Sequence, residues 1–100
     1  MDVTDESFYL IAVIRPRMDR AEEAERELRG LMAGTLAEPG NVFMELTVSD
    51  EDPSVWVMFE KFQSRAAWEE HMLTDHVREG NLRLTDLLRE PTELRFYTAR

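Results

Sequence analysis

No cysteine occurs among the 100 residues, which excludes disulfide staples, thiolate nucleophiles, iron–sulfur clusters and cysteine-ligated zinc. Positive charge is also short: 12 basic residues face 21 acidic ones, for a formal charge of −9. Phosphate-binding surface is therefore scarce, and neither nucleic acid nor an anionic membrane is expected as a partner. Lys61 is the only lysine, an arginine bias that carries no functional information. Long apolar runs are missing, since the longest, Phe8 to Ile14, falls well short of the roughly 20 residues needed to cross a bilayer. The start, Met1-Asp2-Val3-Thr4-Asp5-Glu6, is acidic where a signal peptide is basic, so the expectation is a soluble cytoplasmic protein. There is no Gly-rich phosphate loop, serine nucleophile elbow or dinucleotide fingerprint. With four Gly and four Pro, and 43% hydrophobic residues, the composition is that of one globular domain, residues 1–100, with a core over about 8–98.

What is present reads as alternating strands and helices. Phe8 to Ile14 is short, β-branched and aromatic, and Pro16 stops it, which predicts a strand. Asp19 to Glu22 offers an acidic N-cap with Glu three residues on. Ala21, Ala24, Leu28, Leu31, Met32, Thr35 and Leu36 then follow at helical spacing. Glu22 with Arg26 and Glu25 with Arg29 stand at i, i+4 and predict ion pairs on a solvated face. After Glu38-Pro39-Gly40, Val42, Met44, Leu46 and Val48 alternate with polar or aromatic neighbours. Across the turn Ser49 to Pro53, Val55 to Phe62 predicts a hairpin partner. Ser64 caps a second helix carrying Ala67, Trp68, His71 and Met72. A break near Thr74-Asp75 precedes a further helical stretch to Pro91, and Thr92 to Thr98 closes as a strand. The order βαββαβ predicts an α+β, ferredoxin-like antiparallel sheet with helices on one face. Strands one and three are apolar on both sides, which predicts that the helix-free face packs on a second copy in a homodimer.

The chemistry-bearing residues are few. His71 and His76 are the only imidazoles and the natural general bases near neutral pH; the alternative is a core-edge histidine bonded to backbone. Five residues apart on an ideal helix they diverge by about 140°, so no shared metal is expected. Glu45 and Glu60 lie in apolar strands. They are either carboxyls with a raised pKa or, the favoured reading, partners of Arg15 or Arg95 across the sheet. Phe43, Phe59, Phe62, Trp56 and Trp68 are either core or the lining of a pocket for a planar organic ligand.

Taken in order, Ala37-Glu38-Pro39-Gly40 with Met44-Glu45-Leu46, Phe59-Glu60-Lys61-Phe62-Gln63-Ser64 with Ala67, His71 before Thr74-Asp75-His76, and Leu87-Leu88-Arg89-Glu90-Pro91 into Arg95-Phe96-Tyr97 carry a likeness. Together they resemble the antibiotic biosynthesis monooxygenase domain of the dimeric α/β-barrel superfamily, over nearly the whole chain. The resemblance implies two sheets closing a barrel in a homodimer. It also implies a monooxygenase that oxidises a small quinol-like or polyketide-like aromatic with O2, without metal, flavin or other cofactor. By the same resemblance His71 is the first choice for base and His76 the second. Phe43, Phe59, Phe62, Trp68 and Met58 would contact the substrate, a small apolar or aromatic metabolite. Family members often carry Tyr at the position of Phe59 and Trp at that of Phe62, and the anthrone-oxidising type has an Asn about where Met58 falls. The alternatives are a non-catalytic small-molecule-binding or stress-related module, and an isomerase that needs no O2.

Overall fold

The computed structural model describes residues 6–100; the acidic stretch 1–5 lies outside the described residues. Strand β1 (Phe8–Ile14) is followed by helix α1 (Ala21–Leu36), the hairpin β2 (Asn41–Val48) and β3 (Trp56–Phe62), helices α2 (Arg65–Met72) and α3 (Asp75–Thr85), and strand β4 (Glu93–Thr98). The strands form one antiparallel sheet in the order β2-β3-β1-β4. This is the α+β, ferredoxin-like arrangement, with the second helical region in two pieces. No helix of the described residues is long and apolar enough to cross a membrane.

Register sends alternate residues to opposite faces. Phe8, Leu10, Ala12 and Ile14 of β1 stand beside Phe62, Glu60, Met58 and Trp56 of β3. All eight are buried, and the seven apolar ones pack with Ala24 and Leu28 of α1 and Leu84 of α3 into the core. Fully burying a side chain of Leu or Phe size is worth about 2 kcal/mol, so this row of inward positions holds sheet and helices together. The opposite face carries Tyr9, Ile11, Phe43, Phe59 and Tyr97. Phe43, Phe59 and Tyr97 are exposed in the single chain.

Two local expectations need correction. Asp19 does not cap α1: Met18–Arg20 forms a separate 3-10 turn, Arg20 takes the N-cap position and no side chain caps it. The helix begins one residue later than the acidic signal suggests. Of the two anticipated pairs, Glu25–Arg29 forms at 2.8 Å, whereas the other ion pair at the start of the helix joins Arg20 to Glu23 at 2.9 Å and leaves Glu22–Arg26 unmade. With Arg20 at the cap, its guanidinium lies over the first turn, beside Glu23. Ser64 does cap α2, its hydroxyl accepting from the Ala67 N–H at 3.1 Å.

Candidate functional site

A cavity of about 450 Å³ lies between the inward face of the sheet and the helices. Leu10, Ala12, Ile14, Met44, Met58 and Glu60 form its sheet wall, and Leu28, Trp68, His71, Met72 and Leu84 its helix wall. Ala12 between Leu10 and Ile14 keeps the middle of the sheet wall short. At one end Arg89 donates to the carbonyls of Pro16 and Ser54, at 2.8 and 2.9 Å, tying the segment after α3 to the β2–β3 turn. The walls are largely hydrocarbon, with a few polar groups converging on the space, as small-molecule sites are built.

The helix break brings the two histidines together. α2 ends after Met72, and Thr74 donates its hydroxyl to the His71 carbonyl at 2.7 Å, so α3 starts in a new direction and His76 returns beside His71 with ring centroids 6.2 Å apart. Glu38 arrives from the end of α1. Gly40 lets its turn approach α2, because a Cβ there would sit 2.6 Å from that of Ala67, and the Gln63 N–H donates to the Gly40 carbonyl at 2.9 Å. Likewise a Cβ on Gly34 would meet the His76 ring at 2.8 Å, so only glycine admits the imidazole against α1.

Glu38 is the hub. Nδ1 of His71 lies 3.1 and 3.0 Å from its two carboxylate oxygens, and Nε2 of His76 lies 2.7 Å from one of them. The second contact is off the hydrogen-bonding direction, so the buried His76 Nε2 remains without a hydrogen bond. The three groups' donor atoms fall within 4.8 Å of one another, a span compatible with a cation but already occupied by the Glu38–His71 hydrogen bonds. The imidazoles therefore converge and do not diverge as on one ideal helix, because they belong to different helices. His71 is 4% exposed. Burial lowers its pKa below the usual 6.5, outweighing Glu38, which pulls the other way. His71 is thus neutral at pH 7, and the carboxylate, which can only accept, assigns the proton to Nδ1. Nε2 is left with its lone pair, on a ring that lines the cavity.

Glu60 is the other polar group in the wall. Its position in the inward series Trp56, Met58, Glu60, Phe62 buries it, and no arginine reaches it: Arg15 pairs with Glu90 and Glu93, and Arg95 with Glu93. The expected cross-sheet pairing is overturned because Arg95, opposite Ile11, takes the helix-free face, while Arg15 lies beyond the end of β1, and both meet acids of their own. Burial, with the charge of Glu38 adding to it, pushes the Glu60 pKa up to about 8. Glu45 is exposed on the other face.

Among the residues expected to contact substrate, Trp68 and Met58 line the cavity. Phe62 does not; it is fully buried behind His71, ring to ring at 4.9 Å. Phe43 and Phe59 point to the helix-free face, where with Tyr9, Ile11 and Tyr97 they surround a separate hollow of about 270 Å³. The period-2 alternation of β2 and β3 sends them there, opposite Met44 and Met58. His76 stands behind Glu38, partly exposed, and not in the cavity wall. Glu38 is not among the site residues the sequence predicts; its only sequence signal is its place in the Glu38-Pro39-Gly40 turn.

The sequence model for Antibiotic biosynthesis monooxygenase matches residues 7–82. The chain belongs to this family. The match spans the site residues from Leu10 to His76 and stops short of Leu84 and Arg89, and the fold agrees. A Pseudomonas aeruginosa protein of solved structure superposes with a TM-score of 0.86 at 28% identity, covering 99% of each chain. A Mycobacterium tuberculosis protein gives 0.88 at 26% identity, over 94% of this chain and 95% of that one. A Nitrosomonas europaea protein, provisionally named an antibiotic biosynthesis monooxygenase, gives 0.90 at 21% identity, over 99% and 95%. No curated protein matches the sequence.

Proposed function

We propose that this family member is a cytoplasmic, homodimeric monooxygenase that oxidises a small quinol-like or polyketide-like aromatic with O2, the substrate itself supplying the electrons. One observation carries the reading. A buried, neutral His71, fixed through Nδ1 by Glu38, forms part of the wall of an apolar cavity large enough for a planar ring. His71 Nε2 takes the proton that makes the substrate an electron-rich anion. The anion gives one electron to O2, and the radical pair joins in a carbon–oxygen bond. The peroxide recovers a proton from His71. The oxygen–oxygen bond then breaks: the carbon gives up its second hydrogen as a proton, that bond's electron pair forms the carbonyl, and the distal hydroxyl leaves with the proton as water. One oxygen atom enters the product, the other leaves in water, and the substrate is oxidised by two electrons beyond the oxygen insertion. The cavity excludes water from the reactive anion.

The test is O2 uptake by the purified protein with hydroquinones, naphthohydroquinones and anthrones. Uptake above the buffer rate that falls about 10²- to 10⁴-fold in His71→Ala, the span of a general base, supports the proposal. Turnover without O2 would move the assignment to an isomerase, and binding without turnover to a carrier. For the assembly, the support is the apolar helix-free face around Phe43, Phe59 and Tyr97, which a second copy would cover.

A further inference from the structure

Among the described residues Glu60 is the only buried carboxyl, and neither an ion pair nor a hydrogen bond satisfies it. Its cross-strand neighbours on the same face are Leu10 and Met44. The charged and titratable groups around the cavity come from other elements. His71 stands on α2 with Glu38 behind it, and Arg89 and Glu90 follow α3. Arg89 is held by Pro16 and Ser54, and Glu90 by Arg15. Among the described residues no cation around the cavity is therefore free to neutralise Glu60, and an unpaired polar group in an apolar wall costs stability. Such a group is retained where a ligand completes it.

Resting on the reading of this cavity as the ligand site, we infer that Glu60 anchors the ligand: its neutral carboxyl donates a hydrogen bond to a carbonyl oxygen of a planar, uncharged, largely apolar ring. The proton stays on Glu60 at neutral pH because burial disfavours the carboxylate, so the group presents a donor where an ionised acid would only accept. The cavity then offers a donor on the sheet wall and an acceptor, His71 Nε2, on the helix wall. That pair selects a ring bearing both a carbonyl and an ionisable hydroxyl or activated C–H. In turnover the same donor would stabilise the developing oxyanion.

The experiment is an equilibrium titration at about pH 6.5, followed through the intrinsic fluorescence that Trp68 contributes from the cavity wall. The probes are 1,4-naphthoquinone, naphthalene and 1-naphthylmethylamine; with no cysteine in the chain, no thiol consumes the quinone. The wild type should bind the quinone about tenfold more tightly than naphthalene, the weight of one hydrogen bond. At about pH 9, one unit above the Glu60 pKa, affinity for the quinone should fall about tenfold as the donor ionises. Glu60→Gln keeps a donor that does not ionise, and should retain the preference at both pH values. Glu60→Leu should bind quinone and naphthalene alike. Both substitutions remove a buried ionisable group, so neither threatens folding. A quinone preference that survives in Glu60→Leu, the absence of any binding, or tightest binding of the amine with its loss in Glu60→Gln would each overturn the inference. Quinone binding with this pattern but no O2 uptake would leave it standing while removing the monooxygenase reading.

Discussion

At Glu60 the burial that builds the site also costs stability. Its folded-state pKa, about 8, lies above the unfolded value of 4.5, so the folded protein holds this proton more tightly than the unfolded chain. The fold has its full stability from this group below about pH 4.5 and loses it as pH rises towards 8. At pH 7 the penalty is of the order of 3 kcal/mol, from 2.5 pH units at about 1.36 kcal/mol each. Glu60→Gln should therefore unfold at higher urea than wild type at pH 8 and show little difference at pH 4.5. Equal shifts at both pH values would show that Glu60 is not protonated in the fold. His71 has the opposite sense: its pKa is lowered, so the base form persists below pH 6.5, and the acid limb of a rate profile should fall below that value. Glu38→Ala should reduce kcat by about ten- to a hundredfold with a smaller effect on KM, since the imidazole loses the group that fixes its tautomer. These roles were only partly legible in the residues. Glu60 stands out in the sequence as an acid in an apolar strand, but pairing with Arg15 or Arg95 is the simpler expectation, since nothing in the sequence shows that those arginines meet Glu90 and Glu93 instead. Glu38 carried no such contrast, because a Glu before Pro-Gly at a helix end resembles any turn residue.

The elements were more legible than the side chains, because they follow from short-range patterns. β-branched and aromatic residues over Phe8–Ile14, the Ser64 cap and the break at Thr74 each specify local backbone. The hidden part was the consequence of that break: an ideal helix through Thr74 separates His71 from His76, and the observed bend puts both on Glu38. Phe43 and Phe59 likewise joined the aromatic set by composition, while strand alternation alone decides which face they take. Gly34 offers a test of the convergence. Mid-helix Gly→Ala ordinarily stabilises by about 1 kcal/mol, but here the new Cβ meets the His76 ring at 2.8 Å. Gly34→Ala should therefore give little or no gain in the wild type, and recover most of that 1 kcal/mol in a His76→Ala background. Additive effects measured by urea unfolding would remove His76 from the place described. Ser64→Ala should cost about 1 kcal/mol through loss of the bond to the Ala67 N–H.

For the whole molecule, one sheet separates two unlike surfaces: helices and a cavity on one side, exposed aromatics on the other. A 100-residue chain has a modest core, and a sheet face carrying Phe43, Phe59 and Tyr97 in the open is covered in the proposed homodimer. Sedimentation should give about twice the mass of the single chain, and Phe59→Arg, which places a charge in that face, should give the monomer. A wild-type monomer at micromolar concentration would contradict the assembly while leaving the cavity untouched. Catalysis is assigned to that cavity. The most direct measurement is turnover under ¹⁸O₂ with whichever hydroquinone or anthrone gives O2 uptake, comparing wild type with His71→Ala. One labelled oxygen atom is expected in the wild-type product and the other in water, with a rate at least about a hundredfold lower in the variant; product lacking the label, or an undiminished rate in His71→Ala, would overturn the assignment of oxygenation to this cavity.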